Sequence, residues 1–105
     1  MRLLQEFVGS WQQITFGPGD RALPTAMHLK EEAEELIVEL KQTDVAQRPA
    51  EIRRELADIV ILVIGVAYRL KVDLHDAVME KMAENLARSW QAPDKDGIVR
   101  HEEGK

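Results

Sequence analysis

The chain contains no cysteine, which excludes a disulfide framework and any thiolate zinc site. It also lacks an apolar run of membrane length. The longest, "IVILVIGVA" from Ile59 to Ala67, is bounded by Asp58 and Arg69 and falls well short of the roughly 20 residues a bilayer span requires. It reads as a buried helix. Cationic excess is missing as well: 14 Lys and Arg against 19 Asp and Glu give a net charge of −5. Long nucleic acids are held by clustered Lys and Arg, so neither a nucleic-acid polymer nor a membrane is the expected partner, and a phosphate ligand would bring cations with it. No strand-like alternation of useful length, repeat or low-complexity segment occurs. Met1-Arg2-Leu3-Leu4 runs straight into polar Gln5 and Glu6, unlike a cleavable signal, and a cytoplasmic location is expected.

What is present is helical. Leu3, Leu4, Phe7, Val8, Trp11 and Ile14 recur at helical spacing, predicting an amphipathic helix that ends at Gly17-Pro18-Gly19. Thr25 is the expected N-cap of a second helix with an apolar stripe of Leu29, Ala33, Leu36, Ile37 and Leu40, ending near Thr43-Asp44. Pro49 suits the first turn of a third, whose residues from Ile52 to Leu70 are apolar on almost every face. Asp73 can cap a fourth running to about Trp90, followed by a turn and a mostly polar tail. The expected fold class is all-α, a four-helix arrangement in a single domain, 1–105, completed by self-association because so small a chain cannot cover the third helix alone.

Carboxylates form the main constellation. In "HLKEEAEELIVEL", Glu31, Glu32, Glu35 and Glu39 are spaced three and four apart, where side chains are neighbours. At about 100° per residue, Glu32, Glu35 and Glu39 lie on one shoulder of the apolar stripe with His28 among them. An isolated acidic run of this kind is ordinarily a solvated face. The following helix changes that weighting, because Glu55 and Asp58 sit one turn apart at the mouth of an otherwise apolar segment, where burial is costly unless the charges are paired or bound to metal. Packed antiparallel, the two helices would present a Glu-x-x-Glu pair to a Glu-x-x-Asp pair. Four hard oxygen ligands suit Mg2+ or Mn2+, whereas zinc is disfavoured without Cys or a His-x-x-x-His spacing. Lys81, Asn85 and Arg88 share a face of the fourth helix and supply phosphate donors.

Together these residues resemble a known family. "EEAEE" followed by "ELAD" is similar to the Glu-Glu-x-x-Glu and Glu-x-x-Asp signature of the MazG-like, all-α nucleoside triphosphate pyrophosphohydrolases, and "KMAENLARSW" resembles their Lys-x-x-x-Asn-x-x-Arg segment. "WQQITFGPGDR", "HLKEE" and "NLARSWQAPDKDG" with the trailing His101 are similar to the dATP/dGTP pyrophosphohydrolase branch, which includes small phage members of the MazZ type. The resemblance implies that Glu32, Glu35, Glu55 and Asp58 bind Mg2+, with Mn2+ able to substitute. Glu31 then positions water or a further ion, so Glu31 and Glu35 fall in the catalytic set with Lys81. It further implies that the metals bridge the triphosphate and activate water, releasing a nucleoside monophosphate and pyrophosphate. Lys81, Asn85 and Arg88 would hold the phosphates, with Lys95 as a further contributor, and the assembly would be a homotetramer or a dimer.

The resemblance gives the Gly-Pro-Gly loop a purpose. A purine needs a slot with an apolar wall, and this loop lets backbone approach closely while proline limits movement. Trp11, Thr15 and Phe16 are expected on the base and sugar side, with His28 beside the carboxylates. The expected substrates are purine deoxynucleoside triphosphates, dGTP and dATP. Three alternatives remain open from the residues: a broad house-cleaning hydrolase, a relative acting on phosphoribosyl-ATP, and a non-catalytic helical module whose carboxylates are a solvated patch.

Overall fold

Helical periodicity broken by glycine and proline yields four helices in the computed structural model, which describes residues 1–42 and 49–102. They are α1 (Arg2–Phe16), α2 (Ala22–Leu40), α3 (Pro49–Arg69) and α4 (Leu74–Ala87). No strand occurs among the described residues, only an isolated antiparallel bridge between Trp90 and His101. The chain divides into two compact units, Met1–Leu74 and His75–Lys105.

Most helix boundaries follow the punctuation, and the exceptions have local causes. α1 stops at Phe16 because Gly17 takes a φ of 89°, a region that L side chains rarely adopt. α2 begins at Ala22, ahead of the expected cap Thr25. Pro24 thereby falls in the first turn, where its missing N–H has no intrahelical partner to lose. The Thr25 hydroxyl instead donates back to the Arg21 carbonyl at 2.6 Å. The helix ends at Leu40; Thr43 and Asp44 lie outside the described residues. α3 starts at Pro49 and closes with Lys71 at a φ of 58°, as the Val72 amide donates to the Ala67 carbonyl at 2.9 Å.

In the second unit α4 stops three residues short of Trp90 because the chain turns back on itself. The Gln91 amide donates to the Arg100 carbonyl and the Glu102 amide to the Ser89 carbonyl, both at 2.8 Å. Asp94 organises the turn. Its side chain accepts the amides of Asp96 (2.9 Å) and Ile98 (3.0 Å) and pairs with Arg100. The tail expected as an extension is therefore folded.

In the first unit α3 is central, packed extensively against α2 and less so against α1. The docked face of α1 is rotated from the centre of its apolar stripe toward its amides. Gln5 and Gln12 are buried beside Val8 and Gly9, whereas Leu3 (89% exposed), Phe7 and Ile14 (84%) face outward. Buried amides require partners, and both have them: Gln5 donates to the Val72 carbonyl and accepts from the Leu74 amide, and Gln12 donates to the Ile61 carbonyl at 2.9 Å. Glycine permits the approach. A Cβ on Gly9 would lie 2.1 Å from the Tyr68 ring, and one on Gly65 2.0 Å from the Gln12 side-chain oxygen. The hydrogen-bonding stripe of α1 thus docks on α3 together with Val8, and Leu3, Phe7 and Ile14 of its apolar stripe are exposed among the described residues.

Candidate active site

α2 and α3 run antiparallel, so residues early in one helix meet residues late in the other. Glu35 lies beside Glu55, while Arg21 and Thr25 share a cleft with Arg69. The i, i+3 spacing of Glu32 and Glu35 on α2 places both toward α3, where Glu55 completes a triad of carboxylates. One oxygen from each of Glu32, Glu35 and Glu55 lies within 4.8 Å of the others.

The electrostatics of this cluster are unfavourable without a counter-charge. The adjacent Glu32 charge pushes the Glu35 carboxyl above its ordinary 4.5, with loss of solvation, a hydrogen bond to Glu32 and the Glu31 charge adding to the effect and His28 opposing it. Loss of solvation raises Glu55, and Glu32, Glu35 and Asp58 act in the same direction. The Glu55 Oε2 is fully enclosed and has no hydrogen-bond partner, a costly arrangement for an ionised oxygen. Three hard carboxylate groups this close together, one of them carrying an orphaned oxygen, fit a divalent cation.

Two depressions are lined by members of the cluster. One, of about 500 Å³, is lined by Glu31, Glu34, Glu35, Val38, Glu39 and Glu55. The other, of about 550 Å³, brings Glu32 and Asp58 together with Trp11, Phe16 and His28, and with Ile61, Leu62 and Arg69 of α3. His28 Nε2 lies 3.3 Å from the Glu32 carboxylate. Trp11 and Phe16 meet edge to face, with ring centroids 5.5 Å apart, and each ring is about half exposed. The long cleft thus has a carboxylate end and an aromatic end.

Of the remaining expected residues, Thr15 belongs to the first unit and Lys81, Asn85, Arg88 and Lys95 to the second. Thr15 is exposed on α1 and is not part of the cleft lining. In the second unit Lys81 and Arg88 flank Glu84 at 3.0 and 3.9 Å, and the Lys81 contact holds the Glu84 carboxyl below its usual range. Asn85 accepts the Trp90 indole N–H at its backbone carbonyl, and Lys95 is exposed in the tail turn. Sequence reasoning missed the role of Arg69, though a signal existed. It lies three helical turns after Asp58, on the same face of α3 as Leu62 and Gly65.

Comparisons with known proteins agree with this geometry. The model of a family described as dATP/dGTP pyrophosphohydrolase matches residues 3–103. A dATP/dGTP diphosphohydrolase of Cyanophage S-2L is 37% identical over 98 residues, covering 93% of this chain and 84% of the relative. A solved structure of the Cyanophage S-2L MazG-like pyrophosphohydrolase, bound to dGDP and three catalytic Mn2+ ions per active site, superposes with a TM-score of 0.74. It is 33% identical, and the match covers 96% of this chain and 95% of that one. Family, fold and carboxylate geometry converge: the chain belongs to the dATP/dGTP pyrophosphohydrolase family, with the all-α MazG-like fold of a nucleoside triphosphate pyrophosphohydrolase.

Proposed function

We propose that the protein hydrolyses dGTP and dATP to the nucleoside monophosphate and pyrophosphate, using Mg2+ or Mn2+ held by Glu32, Glu35, Glu55 and Asp58. The observation that carries this reading is the convergence of Glu32, Glu35 and Glu55 within 4.8 Å, at a cleft whose other end is Trp11 and Phe16. When bound, divalent cations supply Lewis-acid polarisation of phosphate oxygens and a more acidic water. The chain's own residues do the rest. Glu31, exposed at the lip of the acidic depression, orients water and accepts its proton. His28 fixes the Glu32 carboxylate. Trp11 and Phe16 form the wall against the base, while Lys81, Asn85 and Arg88 are assigned to the phosphates, with Glu84 restraining the two cations.

We also propose a homo-oligomer, a tetramer or a dimer, as the working form. Val8, Ile64 and Ala67 are the buried apolar residues among those described, while Leu3, Phe7 and Ile14 form an uncovered apolar stripe. Exposed apolar surface of this kind marks an interaction site.

Pyrophosphate release across the common deoxynucleoside triphosphates, with Mg2+, Mn2+ or chelator, tests the substrate assignment. Metal-dependent release is expected with dGTP and dATP in preference to dCTP. Phe16→Ala should cost on the order of 1–3 kcal/mol of purine binding, as for a stacking aromatic, with kcat/KM falling more than kcat. A lower melting temperature with unchanged base discrimination would make Phe16 a packing residue instead.

A further inference from the structure

The Gly-Pro-Gly loop is tied to the helix that carries the carboxylates. Arg69, half-buried in the last turn of α3, donates from one terminal nitrogen to the carbonyls of Gly17 (2.8 Å) and Gly19 (3.3 Å) and from the other to that of Gln12 (3.5 Å). Gly17 and Gly19 take φ values of 89° and 109°, open to glycine at little steric cost, and both present their carbonyls to the same guanidinium. A planar guanidinium with five fixed donors suits this pattern, and a lysine ammonium does not. Phe16 lies immediately before this anchored loop. Asp58 and Arg69 lie eleven residues apart on one face of α3, roughly 16 Å at 1.5 Å rise per residue, and both line the long cleft.

We propose that Arg69 is the positioning residue for base recognition: it clamps the Gln12, Gly17 and Gly19 carbonyls, fixing Phe16 at a set distance along α3 from the Asp58 end. It acts through the loop and contacts neither the phosphates nor the metals. The inference rests on the assignment of Phe16 to the base wall. It adds that discrimination depends on the guanidinium, because a loop without the clamp offers the base a wall of variable position.

The test compares Arg69→Gln, Phe16→Ala and the double variant in steady-state kinetics with dGTP and dCTP. Losing hydrogen bonds from a charged donor is worth roughly ten- to a hundredfold, and in Arg69→Gln that loss should appear in the KM for dGTP, with kcat changed much less. The preference for dGTP over dCTP should fall to the level of Phe16→Ala, and the double variant should be no worse than Phe16→Ala alone, since both changes disable one device. Preference lost in Phe16→Ala but kept in Arg69→Gln, or losses that multiply in the double variant, would overturn the clamp while leaving the base wall standing. Unchanged preference in Phe16→Ala would overturn the base wall and the clamp with it. Should Arg69→Gln fail to fold, Arg69→Lys carries the same comparison: reduced preference at retained charge is expected, and wild-type preference would overturn the proposal.

Discussion

Glu55 concentrates the physical argument for a metal centre. Its enclosed, unpartnered Oε2 and the surrounding carboxylates make ionisation unfavourable in the apoprotein. With the folded pKa of Glu35 and Glu55 raised above the ordinary 4.5, the folded state holds protons more tightly than the unfolded one. Apoprotein stability is therefore favoured below that value and lost as pH rises through the raised folded pKa. A cation reverses the sign, since it binds the ionised carboxylates and binds the folded state selectively. Thermal melts should show a Mn2+-induced rise in Tm that grows from pH 5 to pH 7.5, and Glu55→Gln should raise apoprotein Tm while abolishing that rise. An equal Mn2+ effect in Glu55→Gln would detach the buried oxygen from metal binding. These carboxylates were legible in the sequence because i, i+3 pairs on two consecutive helices leave a pattern. Arg69 leaves less: its spacing from Asp58 marks a shared face of α3, but the backbone carbonyls it reaches some fifty residues away have no counterpart in that spacing.

α1 shows why a helix can be legible when its orientation is not. Its apolar positions gave the helix and its end, and Val8 among them is buried, but the docked face is centred on Gln5, Gly9 and Gln12, because periodicity reports which stripe avoids water and not which chain covers it. What docks α1 on α3 is a set of amides and two glycines, Gly9 and Gly65, and such close approaches appear only when two helices are placed together. Gly9 is the stricter position. An added methyl meets the root of the Tyr68 side chain, its Cβ at 2.7 Å and ring carbon at 2.1 Å, whereas at Gly65 it meets the movable end of Gln12. Alanine in a helix gains about 1 kcal/mol over glycine, and overpacking costs about 1–3 kcal/mol. Gly9→Ala should lower stability in denaturant unfolding by more than Gly65→Ala, and an increase in stability at Gly9 would contradict this packing. The tail departs from its polar reading for a similar reason: the Asp94 turn is built from one side chain accepting two amides and an arginine, a local arrangement that composition does not reveal.

The uncovered stripe of Leu3, Phe7 and Ile14 sets an expectation for the assembly: light scattering at micromolar concentration should report a dimer or tetramer, and Phe7→Glu together with Ile14→Glu should shift it toward monomer. A strictly monomeric wild type would remove the self-association proposal. The catalytic account stands on the carboxylate end of the cleft, which the first compact unit supplies by itself. Its most direct test is the product analysis of dGTP incubated with Mn2+, with wild type and Asp58→Asn compared by chromatography at matched helicity. The account predicts dGMP and pyrophosphate in equal amounts from the wild type, no turnover when the metal is chelated, and a loss of at least about a hundredfold in Asp58→Asn. Cleavage that persists without metal, or near-normal turnover in Asp58→Asn, would contradict it.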